Sequence, residues 1–114
     1  MSDCLFCKIV EGELPSTRVY EDDLVVAFED INPQAPVHVM IVPRKHLGTL
    51  NDLEAADEAL AGRLVRVAAR IASERGIAEA GYRTVFNVNR DGGQVVYHIH
   101  MHLLGGRQLR GPLG

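Results

Sequence analysis

His98-Ile99-His100-Met101-His102, with Val95-Val96-Tyr97 before it and Leu103-Leu104 after it, is the stretch whose reading decides the fold. Polar and apolar residues alternate through it, the period-two pattern of a half-buried strand. Val95, Tyr97, Ile99, Met101 and Leu103 fall on one face, and three imidazoles fall on the other, spaced about 6.6–7 Å apart. Working outward, Asn89-Arg90-Asp91-Gly92-Gly93-Gln94 carries strong turn chemistry. It joins this strand, Val95–Leu104, to another, Tyr82–Val88. Val37–Val42, bounded by Pro36 and Pro43, reads as a strand with Val37, Val39 and Ile41 on one side and His38 on the other. Arg18–Tyr20 and Leu24–Phe28 flank the acidic turn Glu21-Asp22-Asp23 and form a hairpin.

One long segment has the helical period. Leu53, Ala56, Leu60, Leu64, Val67 and Ile71 line one stripe between Asn51 and about Arg75. Asn51 is placed to cap it, Glu54 to complete a capping box, and Gly76 to stop it. A shorter helical turn spans Leu5 to Glu11 and ends at Gly12. The order of short helix, three strands, long helix and two strands predicts an α+β fold: a mostly antiparallel five-stranded sheet with the long helix on one face. With the apolar strand faces under that helix, His98, His100, His102 and His38 share the face away from the core.

The chain has 114 residues, 46% hydrophobic and 24% charged, with no internal repeat or linker, so residues 1–114 read as a single domain. Its net charge is −3 without a clustered basic face, which argues against nucleic acid as a partner. No apolar run approaches the 18 or more residues of a membrane span, and the first eight residues do not resemble a signal peptide. The expected setting is cytoplasmic.

A row of three imidazoles suits two chemistries. One is a catalytic metal site with three histidine ligands. The other is nucleophilic attack on phosphorus, for which an imidazole largely neutral at pH 7 needs no separate base. Asp91-Gly92-Gly93-Gln94 immediately ahead of the row favours phosphorus, because glycines let backbone N–H groups turn toward an anion. Asn87 could add an amide donor if its register places it on the histidine face. Serine occurs only at positions 2, 16 and 73, without a nucleophile elbow, and neither dinucleotide nor phosphate-loop fingerprints are present.

These residues resemble the histidine triad family, and within it the Hint branch. The resemblance runs from about Leu5 to Gln108. It is carried by His98-Ile99-His100-Met101-His102-Leu103-Leu104, Tyr20-Glu21-Asp22-Asp23, Ala27-Phe28-Glu29-Asp30-Ile31-Asn32-Pro33-Gln34-Ala35-Pro36-Val37-His38, Val42-Pro43-Arg44-Lys45-His46, Asp91-Gly92-Gly93-Gln94 and Leu104-Gly105-Gly106-Arg107-Gln108. It implies a homodimeric hydrolase, adenosine 5′-monophosphoramidase-like, that cleaves the P–N bond of purine nucleoside 5′-phosphoramidates without a catalytic cofactor. The partners it implies are purine nucleoside monophosphate derivatives.

By that resemblance His100 is the nucleophile that forms a nucleotidyl-histidine. His98 orients it, chiefly through its backbone carbonyl, His102 binds phosphate and handles charge or proton, and His38 supports the triad. Asn87 with Gly93, Gln94 and Val95 would hold the phosphate, and Asp30 both ribose hydroxyls. Phe6, Ile9, Leu14, Phe28 and Ile31 would line the base pocket, although buried apolar side chains are ordinarily core. Two departures bear on substrate preference. Val95 stands where many Hint relatives carry a phosphate-contacting serine, and the tail from Leu109 to Gly114 lacks the aromatic extension of some relatives. Hydrolysis of dinucleoside polyphosphates, and a nucleotide-binding scaffold with incidental catalysis, are the alternative functions.

Cys4-Leu5-Phe6-Cys7 leaves more than one reading open: two reduced thiols, or two of the four ligands of a structural zinc site. A thioredoxin-like role would want a βαβ setting, which is absent. The resemblance supplies the remaining ligands, since some histidine triad proteins bind zinc in a way that maps onto Cys4, Cys7, His46 and His98.

Overall fold

Val37–Pro43 (β3) is buried at every residue, the mark of a central strand covered on both faces. The computed structural model describes residues 3–111; residues 112–114 of the tail singled out above lie outside them. β3 is flanked by Val25–Glu29 (β2) and Met101–Gly105 (β5), with Arg18–Glu21 (β1) and Tyr82–Phe86 (β4) at the two edges. The order is β1-β2-β3-β5-β4, antiparallel throughout. The α-helices among the described residues are Leu5–Val10 (α1), Glu58–Glu74 (α2) and the single turn Asn89–Gly92 (α3).

Under α2 lies the core that the alternation predicts. Val25, Ala27, Val37, Val39, Ile41, Ile99, Met101 and Leu103 meet Leu60, Leu64, Val67, Ala68, Ile71 and Ala72. The helix ends as expected: Gly76 takes φ +72°, with its N–H on the Ser73 carbonyl and that of Ile77 on Ala72. This is a Schellman closure, which returns Ile77 to the core. The start of the helix differs from the expectation. In place of a helix capped by Asn51, two 3₁₀ turns, Leu50–Asp52 and Ala55–Asp57, precede α2. Asp52 accepts the Thr49 N–H at 2.9 Å and Asp57 the Glu54 N–H at 3.0 Å, so each carboxylate holds its turn before the next begins.

The histidine face is not the open side that the alternation suggests. Phe6, Ile9 and Val10 of α1 pack there on Val26, Phe28, Met40 and Val42 as a second, smaller core. Burying each such side chain contributes about 1.5–3 kcal/mol. Arg18 fixes α1 in place by donating to the Ile9 and Val10 carbonyls at 2.8 and 3.0 Å.

The strand expected over Val95–Leu104 also needs correction, because only Met101–Gly105 pairs in the sheet. Ile41 is opposite Met101, so continued register would set residue 99 against Pro43, which has no N–H to give. The chain leaves the ladder there, and the Ile99 N–H goes instead to the Leu47 carbonyl at 2.7 Å. Val95 and Tyr97, expected under the helix, are consequently exposed, at 87% and 48%. Among the described residues, no helix is long and apolar enough to cross a membrane.

Candidate active site

His38 and His102 come from adjacent strands, whereas His98 and His100 come from the irregular segment ahead of β5. The rings of His38, His102 and His100 nevertheless converge. His102 lies 5.2 Å from His38 and 5.1 Å from His100 between centroids, and Phe6 stands edge-on to His100 at 5.0 Å. His38, His98 and His100 are buried and His102 is partly so.

The hydrogen bonds fix which nitrogen of each ring carries the proton, because a carbonyl only accepts and an amide N–H only donates. The His98 carbonyl is 2.8 Å from His100 Nδ1, so that nitrogen bears the hydrogen and Nε2 keeps its lone pair. The Pro43 carbonyl is 2.8 Å from His98 Nε2, which makes His98 the opposite tautomer with a bare Nδ1. The Gln34 N–H donates to His38 Nδ1 at 3.0 Å, leaving the His38 proton on Nε2. That proton is donated to His102 Nδ1 at 2.9 Å, so neutral His102 carries N–H at Nε2. Asp30 Oδ2 lies 3.4 Å from the same His38 nitrogen. Burial above all pushes His98 and His38 below the ordinary histidine range; the Pro43 hydrogen bond works against it at His98, and the Asp30 charge at His38. Burial, aided by His100 and His38, takes His102 down to about 4. With both rings neutral, the site presents a bare Nε2 on His100 beside an N–H donor on His102.

The loop over residues 91–95, expected from the sequence to hold phosphate, closes on itself through its own backbone. Gly93 adopts φ +78° at the end of α3, and its N–H closes on the Arg90 carbonyl; the Gln94 N–H closes on that of Asn89. Gln94 is buried, and its side chain braces the loop. Nε2 donates to Gly48 and Val96 carbonyls at 2.8 and 3.0 Å, and Oε1 accepts the Asn89 N–H at 3.0 Å. Val95 is next in line and exposed. Val85 pairs with His102, so alternation carried past β4 puts Asn87 on the histidine side.

Asp30 accepts the Asn32 N–H at 2.8 Å and edges a cleft of about 380 Å³ lined by Pro15, Ser16, Thr17, Glu29, Asp30 and Ile31. Of these Ile31 is fully exposed, whereas Phe6, Ile9 and Phe28 are core residues with Leu14 packed against them. Pro15, Ser16 and Thr17 give no sign of this cleft in the sequence, because a loop carries no periodic signal. A larger cleft of about 520 Å³, lined by Ile77, Tyr82, Arg83 and Arg107 among others, holds none of the histidines.

Behind the triad, Cys4, Cys7, His46 and His98 bring four ligand atoms within 4.8 Å of one another. His98 Nδ1 is 3.4 Å from Cys4 Sγ, 3.6 Å from Cys7 Sγ and 3.1 Å from His46 Nδ1, and Cys7 Sγ is 3.3 Å from His46 Nδ1. With metal–nitrogen bonds of about 2.0–2.1 Å and metal–sulfur bonds of about 2.3 Å, a tetrahedron has edges of about 3.3 Å (N–N) and about 3.6 Å (N–S). Those four separations lie close to such edges, and the bare Nδ1 of His98 faces the other donors. The set fits a closed four-coordinate metal site.

Residues 11–109 match the HIT domain family. The chain belongs to the HIT family. It is 57% identical over 111 residues to the purine nucleoside phosphoramidase of Escherichia coli strain K12, covering 97% of this chain and 92% of that protein. Among solved structures, a HIT family hydrolase from Legionella pneumophila superposes with a TM-score of 0.96 at 54% identity, covering 98% of this chain and all of that one. A histidine triad protein from Clostridium difficile gives a TM-score of 0.94 at 45% identity, covering 97% and 96%. The HIT fold is thus the frame on which the four histidines are mounted.

Proposed function

We propose that this HIT protein hydrolyses purine nucleoside 5′-phosphoramidates through a covalent nucleotidyl-histidine on His100. The observation that carries the reading is the 2.8 Å bond from His100 Nδ1–H to the His98 carbonyl, which leaves the lone pair of the neutral ring on Nε2. Nε2 bonds to the α-phosphorus as the P–N bond breaks. The leaving nitrogen departs as the amine, its proton delivered by His102 Nε2–H and replenished from solvent. Water then attacks phosphorus, the bond to His100 breaks with its electron pair returning to Nε2, and the water's proton passes to solvent. Asn87 and the Val95 backbone hold the phosphate, with Gly93 and Gln94 shaping that loop. Asp30 accepts the ribose hydroxyls, and the base lies by Ile31 against the surface formed by Phe6, Ile9, Leu14 and Phe28. The 57% identity to a purine nucleoside phosphoramidase supports this substrate class over dinucleoside polyphosphates.

Cys4, Cys7, His46 and His98 hold a structural zinc ion in this reading, which when bound ties α1 to the sheet and takes no part in the reaction. The protein works in the cytoplasm as a homodimer. Support for the dimer is the edge position of β4, beside an apolar hollow of about 220 Å³ lined by Leu47, Leu50, Leu53, Val65 and Phe86 among others. The test is turnover of adenosine 5′-phosphoramidate by His100→Ala: activity is lost while the circular dichroism spectrum and AMP binding persist. Undiminished turnover in that variant excludes the mechanism.

A further inference from the structure

His98 belongs to two constellations at once. Its ring nitrogen Nδ1 sits in the Cys4–Cys7–His46 cluster, and its backbone carbonyl, in the same residue, holds the proton of His100 on Nδ1. We infer that Cys4, Cys7 and His46 are positioning residues for the reaction, setting through His98 the tautomer and direction of the His100 ring. The inference rests on the phosphoramidase and zinc readings above and extends them, because it turns a structural site into one that decides how fast the nucleophile works.

Three ties hold His98 in place. A carbonyl in a sheet is held by its neighbours in the ladder, but residues 95–100 lie outside the ladder. Next to His98, the backbone is tied by the Ile99 N–H to Leu47 at 2.7 Å, and the ring by Nε2–H to Pro43 at 2.8 Å. The cluster is the third tie, gripping the ring from the Nδ1 side, with Phe6 edge-on to that ring at 6.1 Å. All three anchors come from the segment between Pro43 and Leu47, joined for the cluster by α1. His98 is wholly buried, so few bonds separate a fixed ring from a fixed carbonyl. Without the cluster, the ring keeps one hydrogen bond about which it can turn, and the carbonyl shifts with it. His100 then gains the tautomer whose Nε2 carries hydrogen and cannot attack phosphorus. Outer partners that orient metal-ligating imidazoles are worth about 10–100-fold in metal affinity or activity, and an effect of that order is expected here.

The test compares the zinc-loaded protein, the same protein depleted by a chelator and then reloaded with zinc, and the variant His46→Ala. Three quantities are read: kcat and KM for adenosine 5′-phosphoramidate, the Kd for AMP, and the nitrogen-15 resonances of the His100 ring, which distinguish the tautomers. Depletion and His46→Ala are expected to lower kcat about 10-fold or more, leave KM and the AMP Kd within about 2-fold, and convert His100 from one tautomer to a mixture. Zinc restores all of these in the wild-type protein. Val10→Ala, which loosens the second core without touching the cluster, is expected to lower stability with kcat unchanged. An unchanged kcat with an unchanged His100 spectrum on depletion and in His46→Ala overturns the inference, as does an equal kcat loss in Val10→Ala. If the protein takes up no zinc, the zinc reading fails, yet His46→Ala still decides the positioning. If the wild type turns over no phosphoramidate, the His100 resonances still decide it.

Discussion

Replacing Gln94 with glutamate exchanges one NH₂ group for an oxygen, at a place where the structure makes that exchange expensive. The amide donates to two carbonyls, Gly48 at 2.8 Å and Val96 at 3.0 Å, while its oxygen accepts the Asn89 N–H at 3.0 Å, and the residue is 8% exposed. A carboxylate keeps the Asn89 bond and turns a negative oxygen toward two carbonyl oxygens. If the site stays closed the side chain must take a proton, which from an ordinary pKa near 4.3 costs about 3.7 kcal/mol at pH 7. The acid regains one donor and still leaves one carbonyl unpaired, a further ~1 kcal/mol. Opening of the loop to water caps the total, so the expected loss is about 3–4 kcal/mol. Because the proton is the main cost, the folded pKa of the introduced carboxyl is raised above its unfolded value. The penalty against wild type therefore shrinks as pH falls toward 4 and is largest above 7. Urea unfolding of both proteins between pH 4.5 and 8 measures this directly, with equal m-values licensing the comparison. Gln94→Leu, which leaves the Asn89 N–H and both carbonyls without partners, is expected to cost ~2–3 kcal/mol at every pH. A Gln94→Glu penalty below about 0.5 kcal/mol, within the range of ordinary surface substitutions, or one that does not change with pH, refutes the brace.

A Cβ on Gly105 meets the flexible tip of Ile77 at 2.6 Å, whereas one on Gly106, at φ +95°, meets the Pro36 ring at 2.8 Å. Gly106→Ala is therefore expected to cost more, ~2–3 kcal/mol against ~1 kcal/mol for Gly105→Ala, as read by thermal denaturation. Burial would raise the Asp22 pKa, but the Tyr20 hydroxyl, the Leu24 and Val25 amides and Arg63 outweigh it and hold the carboxyl at about 2. Its folded pKa being depressed, Asp22 contributes about 2 kcal/mol that is present above pH 4 and lost as pH falls through 2, and Asp22→Asn abolishes that part of the acid transition. Phe6→Ala removes the ring that packs on both His100 and Phe28, at 5.0 and 5.6 Å. It is expected to cost ~3 kcal/mol in unfolding and to weaken AMP binding by calorimetry.

Much of this was legible in the residues. Alternation in Val37–Val42 and at Ile99, Met101 and Leu103 sorted the α2 face correctly, because both strands have one side against a helix. The Leu60-to-Ile71 stripe and the Gly76 stop were equally plain. What periodicity could not show was where a ladder ends. Pro43 cuts the pairing short, and that is visible only once Ile41 is known to face Met101. The rings of His38, His102 and His100 meet even so, while His98 reaches His100 through its carbonyl and turns its own ring toward Cys4, Cys7 and His46. Gln94 belongs to the loop that the resemblance assigns to phosphate, and what the sequence did not show is that its side-chain amide, both donor and acceptor, braces that loop against Gly48, Val96 and Asn89. Gln34 gave no signal, because it acts through a main-chain N–H that every residue but proline possesses. Cys4 and Cys7 lie 94 and 91 residues from His98, a separation that no local pattern reports; the family resemblance supplied that grouping.

The central claim is that His100 Nε2 makes the bond to phosphorus. Rapid-quench trapping with adenosine 5′-phosphoramidate, followed by peptide mapping of the adduct, tests it most directly. The account predicts a nucleotidyl group on His100 that forms and decays at rates consistent with turnover. A nucleotidyl group on His98 or His102, or product formation with no covalent adduct at any time, would contradict it.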